Sequence, residues 1–163
     1  MQVIGIQTLA ATESVDEFQT SLDMFKQVFS LLDYFLDAEL ASPKQPFMDA
    51  MIAHPKSFVL SNAILDGLKL VLQHRNLLPP RDDGKTNPAI TRTLIAVFDV
   101  LDILAMSDEF VSKLVDKSQG YLLVDLCLTI FKDHARLGHP VLFATLKLLY
   151  RLCEEEPTFI NGV

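Results

Sequence analysis

Four histidines and two cysteines are the side chains of this 163-residue chain that could hold a zinc ion, and the cysteines are also candidate nucleophiles. His134 and His139 lie five positions apart across a Leu-Gly pair, so their rings could approach a single ion. A zinc site needs three or four ligands, and no third ligand lies in line with these two. We therefore expect no metal here, and we expect these histidines to contact the last carbonyl groups of a helix.

The sequence also contains few candidate catalytic residues. Residues 82–85, Asp-Asp-Gly-Lys, lack the alternating oxygen ligands of a calcium loop and the glycines of a phosphate-binding loop. Neither Cys127 nor Cys153 has a histidine at a spacing typical of a catalytic pair, and the chain contains no G-x-S-x-G elbow. The sequence thus predicts a non-enzymatic protein without cofactor or catalytic residues, with two reduced thiols in apolar surroundings.

Charge and hydropathy restrict the partners. Asp and Glu number 21 against 14 Lys and Arg, a net charge of −7, which disfavours nucleic acid and anionic membrane surfaces as partners. The most apolar segment, residues 121–131, is interrupted by Asp125 and is shorter than the roughly 20 residues of a transmembrane helix. We expect a cytoplasmic protein, with the nucleus as the alternative. A mean hydropathy of +0.28 suggests that the chain oligomerises or continues into further structure.

Apolar residues recur at steps of three and four along almost the whole chain, which predicts an all-α fold. Ser14 and Glu17 form a capping box at the start of the first helix. Breaks at proline, glycine and polar clusters place the helices at about 15–40, 47–53, 56–75, 89–105, 108–117, 121–134 and 140–155. We divide this one domain, residues 1–163, into N-terminal helices (14–76), an exposed loop (77–88) and repeat units (89–163).

The repeat units carry a resemblance. The segment Phe110-Val-Ser-Lys-Leu-Val-Asp-Lys-Ser-Gln-Gly-Tyr-Leu-Leu-Val-Asp-Leu-Cys-Leu and the ending Phe159-Ile-Asn-Gly-Val resemble the turn of the armadillo/HEAT superfamily, in which a short helix ends at a glycine. Aligning Phe110 with Phe159 gives a repeat of 49 residues, and aligning Gly120 with Gly162 gives 42. The resemblance covers residues 88–163, and residues 47–76 less closely.

This resemblance implies a right-handed superhelix of stacked helices, an α-solenoid, that presents a groove to protein partners. The chain has no Trp, so the tryptophan ladder of the peptide-binding members is not implied. Each unit of such a fold needs neighbours to cover its apolar face. We therefore expect this chain to be a stretch of a longer solenoid and to pack against the flanking repeats of that solenoid. The last helix is expected to present apolar residues to the next repeat of that solenoid, namely Leu142, Leu146, Leu149 and Cys153.

Two lines of polar residues run along otherwise apolar helices and are the candidate partner-binding residues. The first line is Asn62, Asp66, Lys69 and Gln73, and the second is Asp125, Thr129 and Lys132. We expect them to line a groove that binds a partner helix or an extended peptide, as in a scaffold or adaptor. The alternatives are solvated faces of a structural spacer in a multi-domain protein, or a helical bundle that binds a lipid or small apolar molecule beside Phe25, Phe29 and Phe35.

Overall fold

The computed structural model describes residues 15–115 and 117–155, and every regular element within these ranges is a helix. The all-α prediction is therefore confirmed for this part of the chain. Ser14 of the expected capping box, and Phe159 and Gly162 of the expected second repeat turn, lie outside the described residues. The helices are α1 (Val15–Leu40), α2 (Pro46–Ala53), α3 (Ser57–Gln73), α4 (Pro88–Leu104), α5 (Asp108–Leu114), α6 (Lys117–Lys132), α7 (His134–Leu137) and α8 (His139–Glu155).

Local chemistry explains where several helices begin. Prolines occupy the first position of α2 and α4, where a missing N–H costs nothing. The Asn87 side chain accepts a hydrogen bond from the Ala89 N–H at 2.9 Å and so caps α4. The Glu39 carboxylate, near the end of α1, accepts hydrogen bonds from the N–H groups of Phe47 and Met48 at 2.7 and 3.0 Å. The end of one helix thereby caps the start of the next.

The long helices form two layers. Helix α4 packs between α1 and α8, and these three make the first layer. Helices α3 and α6 pack side by side as the second layer, with α3 also contacting α4 and α6 contacting α8. The chain therefore alternates between layers as it passes from α1 through α3, α4 and α6 to α8. Of the short helices, α5 contacts α3, α6 and α8, and α2 contacts α1 and α3.

The core is rich in phenylalanine. Phe25 and Phe29 of α1 pack with their ring centroids 4.8 Å apart, and Phe18, Phe98 and Phe110 are also fully buried. By helical spacing after Leu32, either Phe35 or Leu36 can continue the apolar stripe of α1. The structure selects Leu36, which is 1% exposed, and leaves Phe35 51% exposed.

The glycine turn expected in the repeat motif does not form at Gly120. Helix α5 ends at Leu114 and α6 already begins at Lys117, so Gly120 lies inside a helix. A single glycine costs a helix only about 1 kcal/mol, which the packing of α6 against α3 can offset. The glycine that does end a helix is Gly138, whose φ of 90° lies in the left-handed region and separates α7 from α8.

The segment between α3 and α4 is exposed at its tip, residues 79–85. The residues on both sides of the tip contact the rest of the protein. Leu78 and Thr86 are buried. The Thr86 N–H donates a hydrogen bond to the Arg136 carbonyl oxygen at 2.9 Å, which ties the segment to α7. The Asn87 side-chain amide donates to the Pro79 carbonyl oxygen at 2.9 Å. Residues 77–88 are thus not exposed throughout.

Candidate interaction surfaces

The two predicted polar lines lie on neighbouring helices of the second layer. Along α3, Asp66, Lys69 and Gln73 are exposed, and Asn62 is half-buried. Along α6, Asp125 and Lys132 are exposed, and Thr129 is half-buried. Helices α3 and α6 contact each other, and on each helix the polar line lies on the side opposite the buried residues, such as Leu68 of α3 and Leu126 of α6. We call the surface made of these two lines the α3/α6 face.

Charges alternate along the α3/α6 face and are open to a partner. Among the described residues, none of Asp66, Lys69, Asp125 and Lys132 forms an ion pair within 4.0 Å. The Thr129 hydroxyl donates a hydrogen bond to the Asp125 carbonyl oxygen at 2.8 Å, so its hydrogen is used within the helix. The face offers two acidic and two basic groups that can pair with a docked chain.

A wide apolar surface covers the outward side of α8. Phe143, Leu146 and Tyr150 are 70%, 49% and 67% exposed. Leu142, Leu149 and Cys153, which flank them on the same side of the helix, are half-buried. Of the four residues expected to point outward, only Leu146 is largely exposed. The two aromatic residues were missed, although they follow from the helical spacing 143, 146, 150.

A second apolar stripe runs along α1. Met24, Val28, Leu31 and Phe35 are all exposed and are spaced four, three and four residues apart. The ring of Phe47 in α2 extends the stripe, with its centroid 5.9 Å from that of Phe35. This spacing matches a coiled-coil seam, a signal that the sequence contained beside the stronger core stripe.

An ion-pair network joins α4 to α8 inside the first layer. The Arg151 guanidinium donates to Asp102 at 2.8 and 3.3 Å, and Lys147 lies 3.3 Å from the same carboxylate. Lys147 also lies 3.6 Å from Asp99. On α1, partial burial and then the nearby charge of Asp99 raise the pKa of Asp33, with Asp37 adding and Lys147 opposing. The network positions α8 against α4.

Lys113 of α5 fastens the junction between α2 and α3. Its ammonium group donates to the Ile52 carbonyl oxygen at 3.0 Å and to the Ser57 hydroxyl at 2.6 Å. It also pairs with Glu109 at 2.7 Å. The lysine thus satisfies a carbonyl at the end of α2 and holds α5 beside the start of α3.

The candidate metal and nucleophile residues take structural positions. His134 Nδ1 lies 2.8 Å from the Phe131 carbonyl oxygen in the last turn of α6, as expected for a helix-end histidine. Within residues 15–115 and 117–155, no group of three or more His, Cys, Asp or Glu side chains could hold a metal ion. Burial raises the pKa of the Cys127 thiol to about 12, which keeps it protonated, and Cys153 is half-buried.

The phenylalanines considered for an apolar ligand do not line one site. Phe25 and Phe29 contact each other within the packed core, whereas Phe35 is exposed on the seam of α1. Across the described helices, none is both long enough and apolar enough to span a bilayer.

Comparison with known proteins adds no relative: no protein-family model, curated protein or solved structure matches this chain. The surfaces described above therefore carry the functional argument.

Proposed function

We propose that this chain is a non-enzymatic scaffold or adaptor segment with armadillo/HEAT-like helical repeats, which binds a partner helix or extended peptide along the α3/α6 face. The observation that carries the proposal is that the two helices with lines of exposed charges, α3 and α6, pack side by side. A partner that docks there can pair with Asp66 and Lys69 on one helix and with Asp125 and Lys132 on the other.

The arrangement of the helices supports a repeat. Helices α2, α3 and α4 form a short, long, long series, and α5, α6 and α8 form a second one, with α7 inserted as a single turn. The corresponding long helices lie side by side, α3 beside α6 and α4 beside α8. This neighbour pattern is the one that stacked repeats require, because each unit covers the apolar face of the next.

Burial supports a different register from either sequence alignment. Helix α8 begins 51 positions after α4, and at this offset buried residues match buried residues. The matched pairs are Ile90 with Val141, Leu94 with Thr145, Val97 with Leu148, and Leu101 with Leu152. An offset of 49 instead places the buried Val97 and Leu101 on the exposed Leu146 and Tyr150.

The loop between α3 and α4 makes the offset between α3 and α6 larger than that between α4 and α8. Helix α6 begins 60 positions after α3, nine more than the separation of α4 and α8. The connections account for most of the difference, since residues 74–87 join α3 to α4, whereas only residues 133–138, including α7, join α6 to α8. Extra residues in a surface loop shift the sequence period without changing the packing of the helices.

The proposal is tested by capturing partners from cell extract and identifying them by quantitative mass spectrometry. The variant Asp125→Lys/Lys132→Glu reverses both charges of α6, and Asp66→Lys/Lys69→Glu reverses those of α3. The matched control Asp82→Lys/Lys85→Glu makes the same change in the exposed loop. All variants must retain the helical circular dichroism and melting temperature of the unmodified chain.

We expect both helix variants to lose the same partner and the loop variant to retain it, because the two lines share one face. Identical partner sets for all four chains would overturn the proposal and favour a structural spacer. Loss from only one helix variant would also contradict it, since it would show that the two lines do not act together.

A further inference from the structure

The outward side of α8 is apolar over three turns. Phe143, Leu146 and Tyr150 form its centre, and Leu142, Leu149 and Cys153 widen it to about a third of the helix circumference. The buried side of the same helix, which faces α4, lies opposite. A contiguous apolar surface of this kind, with aromatic residues at its centre, is typical of a protein-binding site.

Charges at the two ends of α8 run against its dipole. Four residues that are basic or can become so immediately precede or begin this helix in the sequence, where the helix dipole is positive: Lys132, His134, Arg136 and His139. The C-terminal end carries Glu154, the sequence continues as Glu155 and Glu156, and the last turn contains no basic residue. Acidic residues at a helix C-terminus are unfavourable by a few tenths of a kcal/mol each within an isolated chain.

We propose that the apolar face of α8 binds the same face of a second copy of this chain, with the two helices antiparallel. The twofold axis passes beside Leu146, so Phe143 of each copy contacts Tyr150 of the other across the interface. Glu154 of each copy then lies beside the basic N-terminal turn of the other copy's α8, at His139. An arrangement that is unfavourable in one chain thereby becomes favourable twice in the dimer.

The exposed apolar stripe of α1 in a second copy could also cover the apolar face of α8. The acidic charge of α1 disfavours this pairing. Helix α1 contains six acidic residues and one lysine. Its alignment with α8 in either direction would place acidic residues beside Glu154. Like charges at an interface disfavour a pairing, whereas the antiparallel pairing of two α8 helices brings opposite charges together.

The size of the face predicts the strength of the dimer. One helix from each copy buries less than the roughly 800 Å² per partner of a standard interface. We therefore expect a dissociation constant in the range of about 1–100 µM, which sedimentation equilibrium measures. This contact leaves the α3/α6 face open, so dimer formation and partner binding are separate properties of the chain.

The experiment is sedimentation equilibrium of the purified 163-residue chain from about 1 µM to 1 mM. The variant Phe143→Asp/Tyr150→Asp is expected to weaken dimer formation about 100-fold or more, because it places four charges in an apolar interface. The matched control is Leu31→Asp/Tyr34→Asp on α1, whose side chains are similarly exposed at 59% and 70%. The control is expected to dimerise like the unmodified chain.

A charge exchange tests the antiparallel orientation separately. Glu154→Lys and His139→Glu are each expected to weaken the dimer several-fold, and the chain with both changes is expected to regain the original affinity. Both residues are exposed, so these variants leave the core intact. Failure of the double variant to recover would exclude the antiparallel pairing.

Two results would overturn the proposal entirely. One is a chain that stays monomeric up to about 1 mM. The other is a dimer that the α1 control abolishes and the α8 variant preserves. A monomeric chain that still captures a partner through the α3/α6 face would reject the dimer and leave the proposed function standing. A dimer that captures no partner would support the dimer proposal and reject the proposed function.

Discussion

Helices α4 and α8 belong to the same layer and have the same length of 17 residues, yet their surroundings differ. Helix α4 is enclosed by α1, α3 and α8, and ten of its residues are buried. Helix α8 packs on α4, α5, α6 and α7 on one side and turns aromatic residues outward on the other. Both helices are rich in apolar residues. Their neighbours, and not their composition, decide which residues form the core and which form a surface.

Two phenylalanines give the largest contrast between these helices. Phe98 of α4 is 0% exposed and Phe143 of α8 is 70% exposed. We expect Phe98→Ala to lower the free energy of unfolding by about 3–5 kcal/mol through the lost contacts and the cavity. Phe143→Ala is expected to change it by less than about 0.5 kcal/mol in the monomer. Urea unfolding at low protein concentration measures both, and equal losses would contradict the assigned burial.

Two carboxylates of α4 differ in burial at the contact between α4 and α8. Asp102 is buried and bonded to Arg151, whereas the side chain of Asp99 is 35% exposed. We expect Asp102→Ala to cost about 2–3 kcal/mol, which is below the usual cost of breaking a buried pair because water reaches Arg151. Asp99→Ala is expected to cost about 0.5 kcal/mol or less. Chemical denaturation at low and high salt tests this, since only the Asp99 contact should be screened strongly.

The cysteines extend the comparison to α6. Cys127→Ser is expected to cost about 1–3 kcal/mol because it buries a hydroxyl, and Cys153→Ser about 0.5 kcal/mol or less. Burial raises the pKa of the Cys127 thiol from 9.0 to about 12, so the native state holds this proton more tightly than the unfolded state. Stability should therefore fall as the pH rises from about 9 to 12. The serine variant should lack this part of the fall, and an unchanged pH profile would contradict the assignment.

The smallest effect concerns Asp33, which faces α4 from α1. Its pKa is raised, so the ionised carboxylate destabilises the fold at neutral pH. We expect Asp33→Asn to raise the free energy of unfolding by a few tenths of a kcal/mol at pH 7. The gain should vanish as the pH falls below the ordinary Asp value of 3.8, where both side chains are neutral. Asp82→Asn in the exposed loop serves as control, and an equal gain there would show a general charge effect.

Local signals were enough for most helix positions. The first helix was predicted at 15–40 and observed at the same residues, and the helices predicted to start at 47 and 89 start one residue earlier, each at a proline. Such signals act within one or two turns, so they are visible in the sequence. The end of α5 and the start of α6 were misplaced because Gly120 was interpreted as a turn, although a helix that packs well tolerates a glycine.

The candidate surfaces were predicted only in part. The lines of Asp66 and Asp125 were recognised from their spacing, but spacing did not show that α3 and α6 are neighbours. The exposed aromatic residues of α8 were missed because an apolar stripe looks the same whether it faces a core or solvent. The pairing of Asp102 with Arg151 was also missed, since these residues lie 49 positions apart.

The amino-acid sequence by itself determined the helical period, most helix boundaries and the face on which each helix carries its polar residues. Those properties depend on side-chain spacing and on caps, which act over a few residues. The tertiary structure alone decided that α4 lies between α1 and α8, that Leu36 rather than Phe35 enters the core, and that Phe143 and Tyr150 remain outside. Burial is a relation between distant segments, so it is settled only when the helices pack together.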